Sequence, residues 1–272
     1  MKPLYTGSDS KIGNRQGGCL HLCQAEPTQH KPIFESRAVY IIHMNQTPIF
    51  RQLQLEEALL RTDDRNFLIL NSGSPRSIVM GLSGDPLALL NLDRVRRDSV
   101  PVIKRYSGGG TVVIDENTLF VSMIFSKDSG PFSLFPEPIM HWSYLLYKNA
   151  WKLPDFSLID NDYVINQRKC GGNALYIRKN RWLHHTSFLW DYREENMNYL
   201  LLPPKQPAYR QSRGHTDFLC RLKEYAPSLN ELIEQLNQEL VKRFDICQIS
   251  DEELRAIQGR EHRQTTHFIQ EG

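Results

Sequence analysis

Lys104-Arg-Tyr-Ser-Gly-Gly-Gly-Thr-Val-Val-Ile-Asp115 sets three adjacent glycines between two apolar, β-branched stretches. Val100, Val102 and Ile103 lead in and Thr111-Val-Val-Ile114 leads out, which is strand chemistry on both sides. Glycine favours neither strand. Without a Cβ the backbone reaches positive φ, and a ligand can press against bare N–H groups as a phosphate or carboxylate requires. Arg105, just upstream, adds a planar fork of donors suited to an oxyanion. The same residues suit a tight hairpin turn, so this stretch alone leaves turn and ligand loop both open.

Working outward, Thr118-Leu-Phe-Val-Ser-Met-Ile-Phe125 reads as an apolar strand. Phe67-Leu-Ile-Leu70 and Ser77-Ile-Val-Met-Gly-Leu82 read as short buried strands split by the turn-rich Asn71-Ser-Gly-Ser-Pro75. Helical spacing of Leu55, Ala58, Leu59 and Thr62 predicts a helix over 50–62 lying on a sheet, and a shorter one is predicted over 87–97. Ile139, Trp142, Leu146 and Ala150 predict a core helix over 136–150. Strands follow over 161–165, 174–177 and 182–190, with Asn166–Asn173 read as a polar turn carrying Arg168, Lys169 and two glycines. His184 and His185 must face opposite sides of their strand. A capping box, Ser228-Leu-Asn-Glu231, opens a helix striped by Leu229, Leu232, Ile233, Leu236, Leu240 and Phe244. A second box at Ser250–Glu253 precedes a short helix, and the last dozen residues read as frayed.

The chain has 272 residues, 40% hydrophobic and 24% charged, enough for one large domain with a proper core. No apolar run approaches the roughly 20 residues that span a bilayer, and the start lacks the apolar core of a secretory signal, which reads as a soluble protein with no membrane partner. Cys19, Cys23, Cys170, Cys220 and Cys247 are odd in number and scattered, which predicts free thiols. Residues 1–43 carry five Lys/Arg against three Asp/Glu and no periodicity, and read as an N-terminal extension, poorly ordered or a targeting segment. Residues 44–272 are formally neutral, with 28 basic and 28 acidic residues, which argues against a broad nucleic-acid field. Cys19-x-His21-x-Cys23 lacks the second ligand pair of a structural zinc site.

Two stretches place a cation beside adjacent glycines at a strand end: Arg105-Tyr-Ser-Gly-Gly-Gly110 and Arg168-Lys-Cys-Gly-Gly-Asn173. Both suit an anionic ligand held by backbone N–H groups and one or two side chains. Neither has the spacing of GxxxxGK[ST] or GxGxxG, which excludes P-loop and dinucleotide readings. Together with Asn161-Asp162 and Leu183-His-His-Thr-Ser-Phe-Leu189, in this order and spacing, they resemble the catalytic domain of the lipoate–protein ligase A family over roughly residues 44–245.

The resemblance implies an α/β (α+β) fold: a mainly antiparallel mixed sheet flanked by helices, of the class II synthetase and biotin–lipoate ligase kind. Residues 246–272 are then a short C-terminal helix and tail. It implies ATP and Mg²⁺ as cofactors and lipoate as substrate. Arg105 would contact the adenylate phosphate, and Ser107, Gly108, Gly109, Gly110, Thr111, Val112 and Val113 would line the nucleotide and acyl pockets. Lys169, the catalytic residue, would bridge the acyl carbonyl and the α-phosphate, with Gly171 and Gly172 beside it. Cationic charge there stabilises the charge that develops in both half-reactions. Asp162 would hold Mg²⁺ or orient the lysine, with Asn161, Asp115 and His185 in support. The implied acceptors are lipoyl domains of oxoacid dehydrogenase E2 or the glycine-cleavage H protein, in the cytoplasm, or in a mitochondrion or plastid if the source is eukaryotic.

The sequence departs from the family pattern at Ile114, where a histidine usually precedes the aspartate, and at Thr186, where a glycine usually follows the paired histidines. The K-x-S-G version of the lysine motif is here Lys169-Cys-Gly-Gly. Bacterial-type members also carry an accessory domain for which the stretch after Phe244 is too short, so a separate accessory chain enters the expectation. Related octanoyl and lipoyl transferases use a cysteine either shortly before the lysine motif or after the paired histidines. None occurs in Asp155–Gln167 or Thr186–Leu219, which favours a ligase without a covalent enzyme intermediate. A transferase served by Cys170 or Cys220, and a non-catalytic acyl- or nucleotide-binding homologue, stand as the alternatives.

Overall fold

The computed structural model describes residues 38–130 and 133–269. The Cys19-x-His21-x-Cys23 motif and most of the expected N-terminal extension lie outside them. In chain order come β1 (Ala38–Asn45), α1 (Ile49–Thr62), β2 (Asn66–Ser72), β3 (Ser77–Met80), α2 (Pro86–Leu89), α3 (Leu92–Arg97), β4 (Val102–Lys104), β5 (Val112–Ile114), β6 (Thr118–Ser126) and α4 (Pro136–Trp151). They are followed by β7 (Phe156–Ile159), β8 (Asp162–Ile165), β9 (Arg168–Ile177), β10 (Arg181–Leu189), α5 (His215–Phe218), α6 (Leu229–Arg243), β11 (Asp245–Cys247), α7 (Asp251–Gln258) and β12 (His267–Phe268). Short 3-10 turns at Glu194–Tyr199, Ala208–Arg210 and Leu222–Glu224 fill the long connection after β10.

Among the described residues the strands form two sheets. The larger has the order β11-β1-β2-β6-β10-β9-β8-β7, antiparallel apart from the parallel pairs β11–β1 and β1–β2. The smaller has the order β12-β4-β3-β5. Helices cover both faces of the large sheet, so its central strands are apolar on both sides and lose the usual alternation. In β2, Leu68 and Leu70 join the core beneath α4 and α6, where Tyr147, Trp151, Leu236 and Leu240 also lie. Phe67 and Ile69 of the same strand join the opposite core with Leu55, Leu59 and Ile257 from α1 and α7. This is the mainly antiparallel mixed sheet flanked by helices that the motifs implied.

Several local expectations change. The segment 166–173 is not a turn: Asn166 and Gln167 alone make it, at φ 49° and 61°, and Arg168–Ile177 is one continuous strand. Two consecutive positive φ values match the twist of a two-residue hairpin, so the chain reverses without the glycines. The expected boundary before residue 44 falls inside β1, whose Val39 and Ile41 are core residues. The far end is also docked: α7 opens with the full Ser250–Glu253 capping box, and β12 pairs with β4. Ser228 caps α6 by accepting from the Glu231 amide, one half of the expected box, and such caps contribute about 0.5–2 kcal/mol.

Candidate active site

The glycine stretch is not a hairpin turn, because β4 and β5 do not pair with each other. Both flank β3, β4 in parallel and β5 antiparallel, so residues 105–111 must cross over the C-terminal end of β3. Three backbone bonds seat the crossing: Arg105 N to Met80 O (2.9 Å), Leu82 N to Ser107 O (3.0 Å) and Gly81 N to Gly110 O (3.3 Å). Gly109 is held at φ 107°, a region that L side chains rarely enter. A Cβ on Gly81 would lie 2.1 Å from Gly109 O, so glycine is required on both sides of the crossing.

Arg105 lies inside this loop, 5% exposed. Its Nη2 donates to Gly108 O and Gly110 O (2.9 Å each), its Nε to Gly108 O (3.2 Å) and its Nη1 to Val79 O (3.5 Å). Burial pulls its pKa down to about 10, which leaves it cationic at neutral pH. The guanidinium expected to grip a phosphate is thus bonded to the loop's own carbonyls. Gly108, Gly109 and Gly110 are exposed, and among the described residues their amides have no hydrogen-bond acceptor. Tyr106 anchors the loop in the core against Tyr176, and Ser107 is buried. Thr111 Oγ1 is buried without a partner among the described residues, and Val112 and Val113 continue into β5 opposite Val79 and Ile78.

The second cation sits on β9. Lys169 Nζ pairs with Asp162 Oδ1 at 2.8 Å, across the β8–β9 hairpin. Its tip lies over Gly172, where a Cβ would come within 3.1 Å of Nζ. Gly171 faces the core, where a Cβ would meet the Phe188 ring at 2.7 Å, so packing accounts for it. The other carboxylate oxygen of Asp162 accepts from the Tyr209 hydroxyl at 2.8 Å. Asn173 fixes the strand beyond: its amide nitrogen donates to Asn161 O (2.9 Å), and its Oδ1 accepts from His184 Nε2 (2.9 Å) and Thr186 Oγ1 (2.8 Å). Gly109 joins the two halves. A Cβ there would lie 3.0 Å from Asn173 O and 3.7 Å from Ala174 Cα, so the exposed glycine loop rests directly on the lysine strand.

Behind this contact is a buried polar chain. Three donors converge on Glu56 Oε1: Ser122 Oγ (2.6 Å), Gln52 Nε2 (2.9 Å) and His185 Nδ1 (2.9 Å). His184, on the opposite face, is fully buried, and burial pulls its pKa down to about 3. Asp115 closes the turn after β5, accepting from Asn117 N (2.9 Å) and Asn196 Nδ2 (3.0 Å), and is not brought to the lysine. Cys170 and Cys220 are both 0% exposed in the core under α4 and α6. Burial pushes the Cys170 thiol up, away from thiolate character.

Sequence reading missed Glu56, Gln52, Ser122, Asn173 and Tyr209. A signal existed only for the first pair, since Gln52 and Glu56 are one turn apart on the otherwise apolar face of α1.

Asp162 does not suit Mg²⁺ as expected, because one oxygen is held by an ammonium and the other by a hydroxyl. Among the described residues no group of three or more His, Cys, Asp or Glu converges in a way that would hold a metal ion. None of their helices is long and apolar enough to cross a membrane.

A glycine loop laid on a lysine strand within this sheet defines a member of the lipoyl protein ligase A/B catalytic domain family, whose profile matches residues 48–244. The chain belongs to that family, as its four motifs indicated. It is 29% identical over 247 residues to a Plasmodium falciparum protein named inactive lipoate–protein ligase 2, a match covering 68% of this chain and 63% of that one. It therefore spans less than two thirds of that relative's length. Its fold is that of lipoate-protein ligase A crystallised with ATP, with a TM-score of 0.65 at 16% identity over 82% of this chain and 92% of that one. A bi-partite lipoate protein ligase from Thermoplasma acidophilum, studied with its E2 lipoyl domain, gives a TM-score of 0.64 at 17% identity over 83% and 91%.

Proposed function

We propose that this chain is an ATP-dependent lipoate–protein ligase. Lipoate carboxylate attacks the α-phosphorus of ATP, releasing pyrophosphate and forming lipoyl-AMP. A lysine amine of a lipoyl domain, in an oxoacid dehydrogenase E2 or a glycine-cleavage H protein, then attacks the acyl carbonyl; AMP leaves and the amine proton passes to solvent. The observation that carries this reading is the contact of Gly109 with Asn173 and Ala174, which brings partnerless loop amides against the strand that carries Lys169. In this reading the amides receive the phosphate, and Lys169, oriented by Asp162 and Tyr209, stabilises charge on the carbonyl oxygen and phosphate in both steps. Mg²⁺, which neutralises nucleotide phosphates, arrives with the ATP, because Asp162 is already engaged.

Burial of Cys170 and Cys220 argues against a transferase, since a thioester route needs an accessible thiolate. A second reading, a non-catalytic binding homologue, is favoured by Arg105 being bonded within its own loop and by the inactive designation of the Plasmodium relative. The bi-partite archaeal neighbour supports an intermediate case, in which a separate chain assists adenylation.

The test is intact-mass analysis of a purified lipoyl domain incubated with this protein, lipoate and ATP–Mg²⁺, beside a tube holding octanoyl carrier protein without ATP. Modification in the first tube, lost in Lys169→Ala, is the expected result. Modification only in the second would replace the ligase by a transferase, and silence in both, with ATP binding retained, would leave either a ligase that needs a separate accessory chain or the binding homologue.

A further inference from the structure

The residues after α7 run back over α1 and end on the strand that carries the glycine loop. Arg260 Nη1 donates to Thr62 O and pairs with Asp63 at 3.2 Å. Glu57, 1% exposed, is the next anchor. Its carboxylate accepts from Thr265 Oγ1 (2.6 Å), from Thr265 N (3.1 Å) and from Thr266 N (3.2 Å), as well as from Arg61 Nη2 (2.8 Å). Burial pushes this carboxyl up, but the Thr265, Thr266 and Arg61 donors outweigh it and hold it below the usual range. His267 and Phe268 then pair with Lys104 and Ile103, Ile269 N donates to Val102 O at 2.8 Å, and the Phe268 ring stacks on Phe50 at 4.2 Å.

β4 is therefore an inner strand of the small sheet, and it is short. Without β12 it would be an edge strand with its outer backbone groups unpaired. It leads straight into Arg105, whose amide and guanidinium fix the crossing over β3.

We propose that residues 260–269 are a positioning segment for the glycine loop: anchored on Glu57 and covering the outer edge of β4, they hold the loop in place on β9, so that nucleotide meets a preformed cradle. The nucleotide half rests on the ligase reading; the positioning half does not. Such a segment supplies from within the chain a support that a flexible loop of glycines cannot give itself.

The experiment compares the full chain with Ile269→Pro, which removes the amide bonded to Val102 O, and Thr265→Val, which removes the short hydroxyl bond to Glu57 while keeping size. Glu261→Ala, at an exposed site on the same segment, is the control. Hydrogen exchange is followed at the hydrogen-bonded amides of 78–84 and 102–111, such as those of Gly81, Leu82 and Arg105, and ATP affinity by calorimetry. In both variants exchange at those two stretches is expected to rise about tenfold, the ratio that one lost hydrogen bond of ordinary strength gives, with β6 and β10 unchanged. ATP affinity is expected to fall by a similar factor. Release of 260–269 with no change at 78–84 and 102–111 would overturn the proposal, as would uniform loss of protection across β6 and β10. Wild-type protein that binds no ATP yet shows the expected exchange would leave the positioning role standing and remove the ligase reading.

Discussion

Gly109→Ala is the sharpest single test of the site, because two independent terms act at one backbone position. At φ 107° an alanine is strained by about 1–3 kcal/mol, and its Cβ would lie 2.6 Å from Arg105 Nη2 and 3.0 Å from Asn173 O. The arginine is held by three carbonyls and the other contact is strand backbone, so neither gives way easily, and overpacking adds roughly 1–3 kcal/mol. The sum, about 2–6 kcal/mol, is large enough to push the loop off β9. Gly108→Ala is the matched control, since a Cβ there meets nothing within 4 Å and its φ is not positive. Thermal unfolding and ATP-dependent lipoyl-AMP formation, read as pyrophosphate release, are measured on both. Gly109→Ala is expected to lower the midpoint by about 4–24 °C if the strain is carried globally, at roughly 2–4 °C per kcal/mol. If the loop alone gives way, the midpoint holds and adenylate formation drops about a hundredfold or more. Equal behaviour of the two alanine variants in both assays would refute the claim that Gly109 is the contact joining loop and lysine strand.

Arg105→Lys cannot span Gly108 O, Gly110 O and Val79 O with one ammonium, so it is expected to lower the unfolding midpoint even without ligand; a midpoint equal to wild type would assign Arg105 to ligand contact alone. Cys170→Ser and Cys220→Ser, singly, are expected to retain lipoyl transfer within a few-fold, with a stability loss of about 1–3 kcal/mol from placing a hydroxyl in an apolar core; abolished transfer in a folded variant would reinstate a thioester route. His184 titrates near 6.5 when unfolded and near about 3 in the fold, so the unfolded chain takes up the proton first as pH falls. Its contribution is present above pH 6.5 and is lost towards pH 3 at up to about 1.4 kcal/mol per pH unit. His184→Gln should flatten this part of the profile in urea unfolding, and identical slopes would disprove the assignment.

The sheet, the helices and the family were legible because both faces of the central strands are buried, which leaves apolar runs such as Phe67–Leu70 and, on either side of Ser122, Leu119–Val121 and Met123–Phe125. Pairing was not legible. A hairpin of β4 with β5 stayed open beside a ligand loop, since nothing local marks β3 as the strand that separates them. Arg168–Asn173 looked like a turn because cations and glycines usually occupy turns, whereas here one glycine makes room for Phe188 and the other for the lysine. The Asp162 hydroxyl partner, Tyr209, comes from a proline-rich loop far along the chain, and no periodicity reports such a contact. Helix-surface glutamates are ordinarily solvated, so nothing local singles out Glu56, and only tertiary packing places it at 0% exposure beside His185.

The bonding of Arg105 changes what the arginine of this motif does. Its Nε, both Nη2 hydrogens and one Nη1 hydrogen are committed to carbonyls, which leaves a single donor of its five. A trans peptide points its C=O and the following N–H in opposite directions, and no described peptide is cis. Drawing Gly108 O and Gly110 O inward therefore turns the amides of Gly109 and Thr111 away from the guanidinium, and neither has an acceptor among the described residues. In the proposed ligase the arginine would act on an anion through the amides it orients and through its buried charge. Lys169 spends one of its three donors on Asp162, so two would remain, in the proposed ligase, for a carbonyl oxygen and a phosphate. For the proposed ligase, donor counting gives the division of labour to be tested: outward-turned amides for the phosphate, and the lysine for the atoms between which the bond would change.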